Sequence, residues 1–158
     1  MSSPATPNRL TVINRIVTVL SAITAGANYN YTPSAVNKRF THWRECVGFP
    51  TYSVHLMDSE KPEYDGDELY AETFYVSVKG IVSDTTDTVS ALAKALTDIQ
   101  KAINDDTKPG AGAGTLSTLA VQVRIGEWET DDGYLSLEGF GFFDQKIMVQ
   151  LSANYGAL

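Results

Sequence analysis

An α+β domain is predicted, with a mainly antiparallel β-sheet flanked by two α-helices, and three observations predict it. Two segments repeat apolar residues at a helical spacing, four alternate apolar and polar residues with a period of two, and they follow one another as helix, strand, strand, helix, strand, strand. Strands that arrive in neighbouring pairs favour antiparallel pairing, and each amphipathic helix needs a sheet face for its stripe. At 158 residues, 43% hydrophobic and 20% charged, the chain is sized for one domain with one core, expected over 1–158 behind a flexible Ser/Pro/Thr leader at 1–8.

The first helix is expected in "RLTVINRIVTVLSAITAG", where Leu10, Ile13, Ile16, Val17, Leu20 and Ile23 fall on one stripe and Gly26 is a stop. Its many β-branched residues lower helix propensity, so a strand is the competing expectation. The segment 28–50 has no sustained period and is expected as a long irregular connection, with Lys38, Arg39 and Arg44 beside Phe40 and Trp43. "TYSVHLM" sets Tyr52, Val54 and Leu56 against Ser53 and His55, and "LYAETFYVSVKGIVS" sets Tyr70, Glu72, Phe74, Val76 and Val78 against Ala71, Thr73, Tyr75 and Ser77. Between these strands an acidic loop, Asp58 to Glu68, is too long for a tight hairpin turn and too polar for a core. In the second helix Val89, Leu92, Ala93, Leu96, Ile99 and Ile103 share a face. Asp84 is the expected cap, and Lys94 with Asp98 forms an outward i, i+4 pair. "TKPGAGAGT" punctuates the chain. "LAVQVRIG" then turns Leu119, Val121, Val123 and Ile125 inward, and the last strand does so with Phe143, Ile147, Val149 and Leu151, so these two strands can pair.

Composition limits the chemistry. With 12 Lys+Arg against 19 Asp+Glu and a formal charge of -7, no partner held mainly by phosphate neutralisation is expected, so nucleic acid is not gripped. One cysteine, Cys46, excludes an internal disulfide and any multi-cysteine metal site. Apolar runs break well short of a bilayer span, so a soluble chain with no membrane partner, folding in a reducing cytoplasm, is expected. The glycines of "PGAGAGT" follow a helix and precede a strand, the reverse of a phosphate loop, and no Gly-Lys-Ser/Thr follows; no cofactor is expected. His42 and Cys46 could pair as base and nucleophile, but no orienting third group stands out, and a half-buried histidine beside a buried thiol is preferred. The sequon at Asn30 is uninformative without a secretion signal. The acids of the Asp58–Glu68 loop lack the D-x-D-x-D-G spacing with a distal glutamate that makes a calcium loop specific, so a solvated or partner-facing loop is preferred and no metal is expected.

The stretch "EWETDDG", Glu127 to Gly133, is the hardest to place. If Val121, Val123 and Ile125 point inward, strict alternation sends Glu127 and Glu129 inward too. Either the sheet has ended there, or a bulge at Trp128 flips the register. The expectation is a strand that leaves the core, with Asp131, Asp132 and Gly133 supplying turn chemistry in a hairpin beyond the sheet. A paired-carboxylate hydrolase would need a second acid from a separate element, and none stands out.

The element order, the helix ending "IQKAIND", the stretch "LAVQVRIGEWETDDG" with its turn from Glu129 to Gly133, and the final "IMVQLSANYGAL" with Tyr155 resemble the tail terminator (tail completion) proteins of tailed bacteriophages. The resemblance covers most of the chain from Leu10 onward, and the long 28–50 segment departs from it. It implies a non-enzymatic virion protein of the tail and neck, assembled in the host cytoplasm. Such a protein is a homo-oligomer, a ring and in this family a hexamer, that caps the tail tube and meets the head-tail connector, and the sheath protein where a tail has one, while DNA passes through the lumen. Lys38, Arg39 and Arg44, with Trp128, Asp131, Asp132 and Tyr134 on the hairpin, are the subunit-interface candidates, the two hairpin aromatics being also placed to meet the tube. Glu63, Tyr64, Asp65 and Asp67 are the tube- or neck-facing candidates. Independently of the resemblance, seven acids from Asp58 to Glu72 and six from Glu127 to Asp144 segregate from the basic patch, as a head-to-tail ring requires. An acidic lumen would repel DNA phosphates and let DNA slide. A tube or connector component of the same assembly, and a small hydrolase or binding domain, are the competing expectations.

Overall fold

The computed structural model describes residues 8–61, 63–66, 68–131 and 139–152. Helix α1 (Asn8–Ser21) leads to the short strand β1 (Ala35–Asn37), a 3-10 turn at Trp43–Glu45, and strand β2 (Thr51–Ser59). Strands β3 (Glu63–Asp65) and β4 (Glu68–Ser83) follow, then helix α2 (Thr88–Thr107), the single turn α3 (Leu116–Leu119), and strands β5 (Gln122–Asp131) and β6 (Phe140–Ser152). The sheet order is β1-β2-β4-β6-β5, with β3 continuing the line of β2 along β4. Every pairing is antiparallel except β1 with β2, so the predicted α+β architecture with a mainly antiparallel sheet holds.

Both long helices lie on one sheet face. Alternation in β4 and β6 sends Phe74, Val76 and Val78, and Phe143, Ile147, Val149 and Leu151, into a single core. That core is closed by Val12, Ile13, Ile16 and Leu20 of α1 and by Leu92, Leu96, Ile99 and Ile103 of α2. One row across the sheet shows how tightly it is filled. Tyr52, Gly80 and Phe143 are in register on β2, β4 and β6, and the Tyr52 and Phe143 rings meet edge to face, 5.9 Å apart, over the glycine. A Cβ on Gly80 would fall 2.1 Å from Cζ of Phe143, so the central strand carries no side chain where the rings lie.

Buried polar groups fix the connections. The Arg9 guanidinium grips the buried Glu72 carboxylate at 2.7–3.0 Å and ties the start of α1 to β4. Arg15 holds Asp106 at 2.6 and 2.9 Å, and Asp106 also accepts the Leu116 N–H at 2.9 Å, so one carboxylate links α1, the end of α2 and α3.

Several expectations are corrected. The 28–50 segment is not wholly irregular, because residues 35–37 pair in parallel with β2. Rings of Trp43 and Phe49 pack on Phe140 at 5.5 and 5.4 Å, which anchors its second half to the start of β6. The acidic stretch between the central strands is not a plain loop: β2 runs to Ser59 and β3 pairs with β4. Leu10, Leu56, Val89 and Val121 are exposed, while Val12 is buried; the apolar stripes extend past the ends of the surface they cover. The α2 cap is Asp87, whose side chain accepts from Ser90 N–H, while Asp84 holds the preceding turn through the N–H groups of Thr86 and Asp87. Asp98 forms no outward pair with Lys94. It is buried and accepts from the backbone N–H of Asn30 and Tyr31 and from the Asn30 side chain, at 2.9–3.0 Å, pinning the 28–31 loop to α2. Leu119 sits in α3, which the glycine-rich punctuation conceals.

Candidate functional site

The stretch around Trp128 keeps its pairing past the point where alternation fails. β5 is in register with β6 at Ile125–Ile147 and again at Trp128–Gln145, so one extra residue is inserted between them, a β-bulge. The strand continues paired to Asp131–Phe142 and does not leave the sheet, contrary to the expectation of a hairpin that departs there. Gln145 builds the bulge. It is fully buried, its amide donates to the carbonyls of Gly126 at 3.0 Å and Lys146 at 2.8 Å, and its own carbonyl accepts from Gln100 of α2 at 2.8 Å. Gly126 fits because a Cβ there would press on the Lys146 carbonyl at 3.3 Å.

The inserted residue turns Trp128 and Thr130 toward α2. With Val89, Leu92, Ala93 and Leu96 they line an open, mainly apolar groove of about 310 Å³. Trp128 stays 54% exposed there. Glu127, Glu129 and Asp131 alternate with the groove residues and are exposed, giving an acidic outer edge. Asp132 and Tyr134 lie outside the described residues.

The segment that leaves the opposite edge strand, β1, carries the basic candidates, and its second half reaches the start of β6, where Trp43 packs on Phe140. Lys38 donates to the Asn14 side chain at 2.9 Å, Arg39 makes an exposed 3.4 Å pair with Glu45, and the Arg44 guanidinium lies 5.1 Å from the Trp43 ring centre. Among the described residues only the Arg39 pair uses a carboxylate, and at its exposure it is weak. Val47 in the same segment is completely exposed, and Phe40 is exposed as well. Lys38, Arg39 and Arg44 thus share one segment but have separate partners, and Trp128 and Asp131 lie on the edge strand β5.

His42 and Cys46 do not form a base–nucleophile pair. The imidazole Nδ1 accepts from Arg44 N–H at 3.3 Å, and the thiol donates to the His42 backbone carbonyl at 3.5 Å. Burial pushes the Cys46 thiol pKa up, and Glu45 adds to the rise against a lowering hydrogen bond with Thr51, so the thiol form is favoured. Of the arm candidates, Glu63 and Tyr64 are exposed on β3 and Asp65 is its last residue, while Asp67 lies outside the described residues. Leu56 and Met57 are exposed at the base of this arm, and the Tyr75 hydroxyl donates to Glu60.

One cluster escapes the sequence. On the sheet face away from the helices, Ser77 donates to Asp144, Lys79 Nζ lies 3.8 Å from the same carboxylate, and His55 is in register with Ser77. Burial and the Lys79 charge hold the His55 pKa below its ordinary value, with Asp144 opposing, and its Nε2 is buried without a partner among the described residues. Ser, His and Asp are thus neighbours, but the serine hydroxyl is bound to the carboxylate and not to the imidazole, so no general base faces it. Polar alternation hints at these residues, yet only the strand register brings them together. Among the described residues no group of three His, Cys, Asp or Glu converges to hold a metal ion, and no helix is long and apolar enough to cross a membrane. A comparison with protein-family models finds no match to this chain, and a search of curated proteins likewise finds none.

Proposed function

We propose that the protein is a non-enzymatic structural subunit of a tailed-bacteriophage virion, a tail terminator that forms a ring on the end of the tail tube and presents its other side to the neck. The observation that carries it is the separation of charge between two segments: Lys38, Arg39 and Arg44 lie between β1 and β2, Glu127, Glu129 and Asp131 on the edge strand β5. A heterologous contact between two different surfaces of identical chains generates a closed ring when its rotation closes, and complementary charge selects that contact over like-to-like pairing. The arm formed by β2, β3 and β4, with Glu63 and Tyr64 exposed, is then available to the tube or neck protein. The sequence resemblance points to the hexamer and to these partners. A tube subunit is the second candidate, because the same kind of contact without closure gives a filament. Negative-stain microscopy of the purified protein separates the two: closed rings of one size are expected, and open filaments would transfer the assignment to the tube.

A further inference from the structure

We infer that the outer edge of β5 takes an added β-strand from a partner protein, an extended segment with apolar side chains toward α2 and lysine or arginine on its other side. β5 ends the sheet order and pairs only with β6 among the described residues, so no described strand lies along its second side. The groove between α2 and β5 opens beside that edge, and Val89 and Trp128 in its lining stay 64% and 54% exposed. The helix thus offers apolar surface past the last strand, where the inward side chains of one more strand would go.

The sheet face away from the helices sets the chemistry of the added strand's other side. Past the bulge Trp128 and Thr130 face α2, so Glu127 and Glu129 face the opposite way: Glu127 lines a hollow with Tyr75 and Lys146, and Glu129 is in register with Asp144. Both acids are exposed, and neither has an ion pair among the described residues. A strand laid along this edge sets its own outward side chains beside them, where opposite charge stabilises a cross-strand pair and like charge opposes it. Arg124 lies before the bulge and lines the same hollow, so cations are wanted only alongside Glu127 and Glu129.

Strands of a second copy fit this edge less well. A second β5 would set Glu127 and Glu129 against their own kind, and the β2–β3 arm would bring Asp58, Glu60 and Glu63. The opposite edge strand, β1, has three residues, and its Val36 is already packed on its own core. Charge and length therefore select a partner of different sequence. The ring contact proposed above draws on the same two acids, so strand and ring compete for them, but only an added strand uses the groove and the backbone edge; either contact can fail without the other.

The test uses the full chain with Trp43→Phe, which leaves Trp128 as the only tryptophan and so as the reporter of the groove. The probe is an end-blocked peptide that alternates valine and lysine. It should shift the Trp128 emission to the blue as valine side chains cover the indole, and a peptide of the same composition with its valines and lysines in separate blocks should not. V89D and E127K/E129K change exposed positions, circular dichroism checks their folding, and each should weaken binding about tenfold or more. Methylating the backbone nitrogens of every second residue should abolish binding in one phase and spare it in the other, because only one set of N–H groups faces β5. Equal binding of the two methylated peptides, or of the block peptide, would reduce the contact to general charge attraction and overturn the added strand. No binding of the alternating peptide would overturn it as well and leave the ring standing. In sedimentation velocity, self-association of the chain should survive in V89D; its loss there would put a second copy in the groove and overturn the partner assigned here.

Discussion

Replacing Gln145 by leucine should cost stability and move Trp128 at the same time. The side chain is fully buried and makes three bonds at 2.8–3.0 Å, to the Gly126 and Lys146 carbonyls and from Gln100. Leucine keeps the apolar bulk and removes every partner. A buried polar group left unsatisfied costs about 1–3 kcal/mol; water reaches the edge strand and relieves part of that, so a total of about 3 kcal/mol is expected. For a domain of this size that corresponds to a fall in Tm of about 6–12 °C. The chain has two tryptophans, so a Trp43→Phe background leaves Trp128 as the reporter. Without Gln145 the bulge loses its internal partner and the strand can slip by one residue, which takes the indole off α2; its emission should shift to the red. A Tm within about 1 °C of the background protein, together with unchanged emission, would refute the role given to Gln145.

Gly80→Ala should destabilise by about 1–3 kcal/mol, at the upper end because the fully buried Phe143 has nowhere to retreat. In urea titrations the G80A/F143L double variant should lose clearly less than the sum of the two single changes, and strict additivity would count against the ring-over-glycine packing. Asp98→Ala strands the N–H groups of Asn30 and Tyr31, so a loss of about 2–4 kcal/mol and faster hydrogen exchange at those two amides are expected; unchanged exchange would contradict the pinning. Burial pushes the Asp106 carboxyl up, but Arg15 and the Leu116 N–H outweigh it and hold its pKa below 3.8. A carboxyl depressed in the folded state contributes stability above its unfolded pKa and loses it as pH falls through the folded value. Urea midpoints measured downward from pH 5 should therefore fall below about pH 4, and D106N should show a shallower acid slope than the wild type; equal slopes would remove Asp106 from the acid response.

The main elements were legible because their signals are local. Apolar stripes in α1 and α2 and alternation in β2, β4 and β6 are set by which residues face one core. What stayed hidden depends on contacts between distant positions. A bulge at Trp128 was one of two readings open in the sequence, and choosing it needed Gln145, on another strand, which fills the bulge between Ile125 and Trp128. Asp98 has the spacing of a surface pair with Lys94, yet the loop at Asn30 covers it. β1 and α3 are too short to show a period, and Val89 obeys the helical period but lies beyond the sheet that would cover it. Of the candidate site, charge segregation was readable because charge is a property of composition, whereas the groove was not, because it exists only once the bulge turns Trp128 to α2.

Electron micrographs of particles from a phage lacking this protein test the terminator role most directly. Heads should still fill with DNA and tubes should still form, but the tails should be overlong or unjoined to heads. Tails of normal length joined to heads would contradict the assignment, and complete absence of tubes would make the chain a tube subunit instead.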